Sequence, residues 1–171
     1  MIAWERNLNA LVVIILSGVL LGAYGVQIFM HEQPCPLCLL QRLGMIGVAV
    51  GALLNIWFGV HMSHYGLSLL SALMGGLVAL RQISLHVCPG FGEFGLPVLG
   101  LSLYTWSFIV FVCVVLSVAL LLFLYDPAER QELSIRLNGW CKLAFSLMFF
   151  VALANIITTL IQCGLGPCAD V

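Results

Sequence analysis

The chain has 171 residues, of which 63% are hydrophobic and 8% charged, and its net charge is −1. Soluble domains carry about 25% charged residues, so most of this surface is unsuited to water, and the balanced charge offers no basic field for nucleic acid. Composition alone therefore points to a small integral membrane protein.

A spanning helix needs roughly 20 apolar residues. Five stretches qualify, at about 8–29, 39–56, 65–87, 98–125 and 140–162. The links between them are too short for a separate soluble domain, so the whole chain is predicted to be one all-α domain, a polytopic membrane helical bundle with antiparallel neighbours. The first stretch follows Arg6 as a signal peptide would. It is too long for a signal core and no small-x-small cleavage site follows, so an uncleaved helix is expected.

Between the first and second spans lies Cys35-Pro36-Leu37-Cys38, with Arg42 four residues after Cys38. Pro36 suits the first position of a helix, which makes Cys35 its cap and puts Cys38 in its first turn. The positive end of the helix dipole favours a thiolate there, and a cation one turn further along the same face favours it again. A dithiol so placed at the membrane edge is suited to passing electrons to an acceptor dissolved in the lipid. The alternative is a purely structural disulfide, with Arg42 snorkelling to the headgroups.

The third span carries Arg81, Gln82 and, near its end, His86. Charge inside a span is costly and marks functional candidates. Arg81 is expected to face the bundle interior and hydrogen-bond a polar ligand head or a carbonyl of another helix. His86 is either a proton relay or an ordinary interfacial histidine. A short loop with Cys88 follows, and Cys113 lies within the fourth span. Next, Asp126-Pro127-Ala128-Glu129 reads as a capping box opening a short interfacial helix with Leu133 and Leu137. Cys141 stands at the start of the fifth span, and the chain closes on Cys163-Gly164-Leu165-Gly166-Pro167-Cys168. Cys113 and Cys141 are expected to be bystanders, because buried cysteine usually acts as a small hydrophobe.

Arg6, Arg130, Arg136 and Lys142 fall on one side of a five-span path. The positive-inside rule assigns that side to the cytoplasm. Cys35, Cys38, Cys88, Cys163 and Cys168 then share the outer side, with the C-terminus periplasmic if the membrane is a bacterial inner membrane.

The run Cys-Pro-Leu-Cys-Leu-Leu-Gln-Arg opening the second helix, the Arg81-Gln82 pair with His86, and Leu99-Gly100-Leu101-Ser102 with Trp106 together resemble the DsbB family of disulfide-generating membrane proteins. The resemblance covers roughly residues 8–125, with residues 35–42 its specific part. It implies a four-helix DsbB-like core, here with a fifth helix added. It also implies a thiol:quinone oxidoreductase that reoxidises a periplasmic DsbA-like partner and reduces ubiquinone or menaquinone. Cys35, Cys38, Cys88, Cys163 and Cys168 are then the redox cysteines, and Cys38, Arg42, Arg81 and His86 the quinone site; no metal site is expected. Family members usually carry a second cysteine pair in the loop after the third helix, where this chain has Cys88 alone. The tail is inferred to replace the missing half, either as a Cys163–Cys168 disulfide or through a pairing with Cys88. A clamp on the tail with no redox role is the alternative. Rival readings are a thiol reductase moving electrons outward, including one like the vitamin K reductases, and a non-enzymatic metal-binding protein.

Overall fold

The computed structural model describes residues 2–30, 35–87, 98–123 and 138–164. They form five helices: α1 (Ile2–Met30), α2 (Pro36–Phe58), α3 (Met62–Val87), α4 (Leu103–Phe123) and α5 (Gly139–Cys163). All five are long and apolar enough to cross a membrane, and no strand occurs among the described residues. The chain is thus a polytopic helical bundle. The capping box at residues 126–129 and its interfacial helix lie outside the described residues.

The sides of the bundle follow from solvent physics. Leu116, Leu120, Phe149 and Ile161 are all exposed on its flanks, which is favourable in lipid and unfavourable in water. The interior is filled by Val13, Leu16, Leu20, Val48, Ile56, Phe111, Met148 and Val151.

Packing inside a membrane favours small residues that let backbones approach. Gly44, Gly47 and Gly51 lie along α2 against Ser68, Ser71 and Gly75 of α3. A Cβ on Gly47 would sit 2.5 Å from the Ser71 hydroxyl, and one on Gly51 would sit 2.6 Å from the His64 carbonyl oxygen. The resulting α2–α3 seam is the most extensive in the bundle. Phe111 of α4 closes over Gly75, while α5 packs against α1 and α2.

The helices alternate in direction, so the start of α2 and the ends of α1, α3 and α5 share one end, called here the dithiol end. At the opposite end, Asn55 Nδ2 donates to Asn9 Oδ1 (3.3 Å) and Asn9 Nδ2 to the Tyr65 hydroxyl (3.3 Å). His61 N–H and His64 Nδ1 both meet Asn55 Oδ1, at 3.1 and 3.0 Å. These bonds tie α1, α2 and α3 together.

The fourth helix starts at Leu103, five residues later than its apolar run suggests. Val98 and Leu101 instead exchange two backbone hydrogen bonds around Leu99 (φ 54°) and Gly100 (φ 80°). Positive φ at both central positions is the signature of a type I′ turn. Trp106 Nε1 then donates to the Val98 carbonyl (2.9 Å) and pins the turn to the helix.

Candidate functional site

Cys35 caps α2 as its sequence predicts. Its backbone is extended (φ −69°, ψ 155°), Pro36 holds the first helical position, and the Cys38 N–H donates to Cys35 Sγ at 3.2 Å. The two sulfurs lie 2.7 Å apart, so one turn of helix brings the pair within reach of a disulfide. The neighbouring Cys38 sulfur, together with burial, pushes the Cys35 thiol well above the ordinary thiol range.

Gln82 of α3 completes the sulfur site. It is 1% exposed, and its Nε2 lies 3.4 Å from Cys35 Sγ and 3.6 Å from Cys38 Sγ. The orientation of its amide is set from behind, where Gln41 Nε2 donates to Gln82 Oε1 at 2.6 Å. With the oxygen committed, the N–H donors face the sulfurs. In the sequence both glutamines appear only as parts of the family-like motifs, with no site role of their own. The signal that marks them is a full amide set inside an otherwise apolar span, which is costly to bury unless bonded.

Arg42 is buried one turn beyond Cys38, with 8% of its surface exposed. Its Nη2 donates to Gln27 Oε1 of α1 at 2.8 Å, and its guanidinium lies 4.3 Å from the centre of the Tyr24 ring. Its Nη1 is buried with no hydrogen-bond partner among the described residues. A buried N–H of a permanent cation costs free energy unless it meets an acceptor. A planar carbonyl ligand entering beside Cys38 would supply one.

Arg81 differs from expectation. Its side chain is exposed on the flank of α3, and Gln82 takes the interior position instead. Successive residues on a helix lie about 100° apart, so only one of the pair faces inward. A neutral amide that finds partners buries at far lower cost than a charge. His86 is half-buried, stacks on Tyr104 of α4 at 5.0 Å and places Nδ1 2.8 Å from the Gln82 carbonyl. That carbonyl only accepts, so Nδ1 is the donor and Nε2 is the basic nitrogen of the neutral ring.

α3 ends at Val87, next to Cys88 in the chain, and α5 ends at Cys163. Cys88, Cys168 and the Cys163 side chain lie outside the described residues. Cys113 is exposed on α4 and Cys141 is buried in α5. Cys113 also borders an apolar groove of about 250 Å³ between α1 and α4, floored by Val48, Ala52 and Ser68.

Comparison with known proteins agrees with this geometry. The family model for disulfide bond formation protein DsbB matches residues 5–91, which contain α2, Cys35, Cys38, Arg42 and Gln82. The chain is 34% identical over 91 residues to disulfide bond formation protein B of Burkholderia pseudomallei, covering 51% of this chain and 53% of the relative. It is 37% identical over 83 residues to that of Chromobacterium violaceum, covering 40% and 46%. To disulfide bond formation protein B 1 of Pseudomonas fluorescens it is 29% identical over 150 residues, covering 68% and 89%. The chain thus spans about half the length of the first two relatives. No solved structure gives a significant match.

Proposed function

Because the chain belongs to the DsbB family of disulfide bond formation proteins, we propose that it is a thiol:quinone oxidoreductase using Cys35 and Cys38 as its redox pair. The observation that carries this reading is the pair of sulfurs at 2.7 Å on a membrane-helix N-terminus, with a buried, incompletely bonded Arg42 one turn beyond. Its partner is a soluble DsbA-like dithiol protein, and its electron acceptor is ubiquinone or menaquinone.

A reduced partner loses two electrons and two protons as its dithiol closes to a disulfide, and the Cys35–Cys38 disulfide opens to a dithiol in exchange. Bound quinone would accept the two electrons and two protons released when that dithiol closes again. The residues present suit such a head group. Arg42 Nη1 supplies an unmet donor, Gln82 orients the sulfurs, and Tyr24 and Gln27 hold the guanidinium. His86 Nε2 offers a base for the released proton, while Arg81, exposed beside Gln82, is assigned to the entrance of the site. Cys163 and Cys168, alone or with Cys88, pass electrons from the partner to Cys35–Cys38. Support for this relay is that α5 ends at Cys163, at the end of the bundle where α2 begins.

The dithiol end faces the periplasm in this reading, across a bacterial inner membrane. Arg6 and Lys142 stand at the opposite end, as the bias of cytoplasmic loops toward positive charge requires.

The test is turnover of a reduced DsbA-type protein with decylubiquinone or menadione by the purified chain. Cys38→Ser abolishes quinone loss, and Arg42→Ala lowers kcat/KM for quinone by about 10-fold or more, the loss of a charged hydrogen bond. Full turnover by Cys38→Ser would overturn the proposal. Cys163→Ser and Cys168→Ser remove turnover if the tail is the relay and leave it if the tail is a clamp.

A further inference from the structure

The grip on Arg42 does not end at α1. Tyr24 and Gln27, three residues apart, share one face of α1, and both touch the guanidinium. On its far side the Tyr24 hydroxyl donates to Asn155 Oδ1 of α5 at 3.1 Å, a contact between residues 131 positions apart. Both residues are buried. The turn of α5 that carries Asn155 is further fixed by hydroxyl bonds from Thr158 and Thr159 to the Asn155 carbonyl, at 3.1 and 2.7 Å.

An amide facing a phenol within an apolar seam is specific, because the same helices pack without it through Leu20, Met148 and Val151. The Tyr24 ring also has a second duty, since Arg42 lies over its face. Releasing the hydroxyl frees the ring to turn, and the guanidinium above it then loses one of its two supports. Asn155 belongs to a helix outside residues 5–91, the part matched by the family model. The fifth helix therefore reaches the dithiol site by a route separate from its C-terminal cysteines.

We propose that Asn155 is a positioning residue for quinone, acting through Tyr24 to fix the Arg42 guanidinium beneath Cys38. This rests on the thiol:quinone reading given above. α5 is then part of the acceptor site, and its removal would damage quinone binding even if the tail cysteines were dispensable.

The experiment is a double-mutant cycle on the full chain in detergent. Asn155→Leu and Tyr24→Phe are each made in the wild type and in Arg42→Ala, and decylubiquinone is the probe. Its dissociation constant is read from quenching of tryptophan fluorescence, and KM and kcat from turnover. Each single variant is expected to weaken binding and raise KM about 3- to 10-fold, the worth of one hydrogen bond, with kcat changed far less. In the Arg42→Ala background the same substitutions are expected to change binding less than 2-fold, because contacts that act through one residue are not additive. Equal losses in both backgrounds, or no loss in either, would overturn the proposal. Tyr24→Phe keeps the ring and its packing, so it tests the same hydrogen bond should Asn155→Leu fail to fold. Wild-type protein that neither binds nor reduces any quinone would instead sink the underlying functional reading.

Discussion

At the scale of single residues, the site is a contest between burying polar groups and satisfying them. Gln41 and Gln82 resolve it by bonding each other, which leaves the Gln82 N–H donors for the two sulfurs. This arrangement separates a structural role from a functional one. Gln82→Leu leaves the Gln41 amide buried and unpaired, at a cost of about 1–3 kcal/mol, whereas replacing both partners by apolar groups can be nearly neutral. Thermal unfolding in detergent should therefore show Gln82→Leu destabilised and Gln41→Leu/Gln82→Leu largely restored. Oxidation of the dithiol by quinone should stay slow in both, because neither supplies donors to sulfur. Recovery of the rate along with the stability would make Gln82 a packing residue only. Cys35 as a cap and Arg42 one turn beyond Cys38 were legible from spacing, since helix geometry fixes both. Gln82 was not, because Arg81 beside it carries the stronger chemical signal and sequence does not say which of two neighbours faces inward.

At the scale of helices, hydropathy and length locate all five spans, and the short links define their alternating path. What they miss is the start of α4. Val98, Leu99 and Leu101 are as apolar as the helix that follows, and only the positive φ at Leu99 and Gly100 separates turn from helix. Gly100 after Pro97 is the available sequence signal. The α2–α3 seam is likewise visible only in part, as glycines and serines at helical spacing. Gly51 leaves the least room in this seam, because the obstacle to a side chain is the His64 backbone rather than a flexible tip. Gly51→Ala should therefore force the helices apart and destabilise the bundle by about 1–3 kcal/mol, the usual cost of overpacking. A shift in the unfolding midpoint reads this directly. An unchanged midpoint would mean that the seam opens without penalty.

At the scale of the whole molecule, α2 is the hinge of the design. It presents the dithiol at its first turn, packs on α3 through glycines, and receives α1 and α5 on its other sides. Three neighbours contribute to the site: α3 through Gln82, α1 through Gln27 and Tyr24, and α5 through Asn155 by way of Tyr24. The five-helix bundle and the Cys35–Cys38 turn at the start of α2 could be read from the chain alone. The convergence of three amides and a phenol on the Cys35–Arg42 turn could not, because those contacts join residues far apart in sequence.

The central claim is that the Cys35–Cys38 dithiol delivers its electrons to a quinone. The direct measurement is a single turnover without any partner. The chain is fully reduced, freed of reductant and mixed anaerobically with decylubiquinone, while quinone absorbance and the position of the new disulfide are followed. The account predicts one quinone reduced as a Cys35–Cys38 disulfide forms, with none reduced by Cys38→Ser. Quinone left intact by the reduced wild type, or reduced equally well by Cys38→Ser, would contradict it.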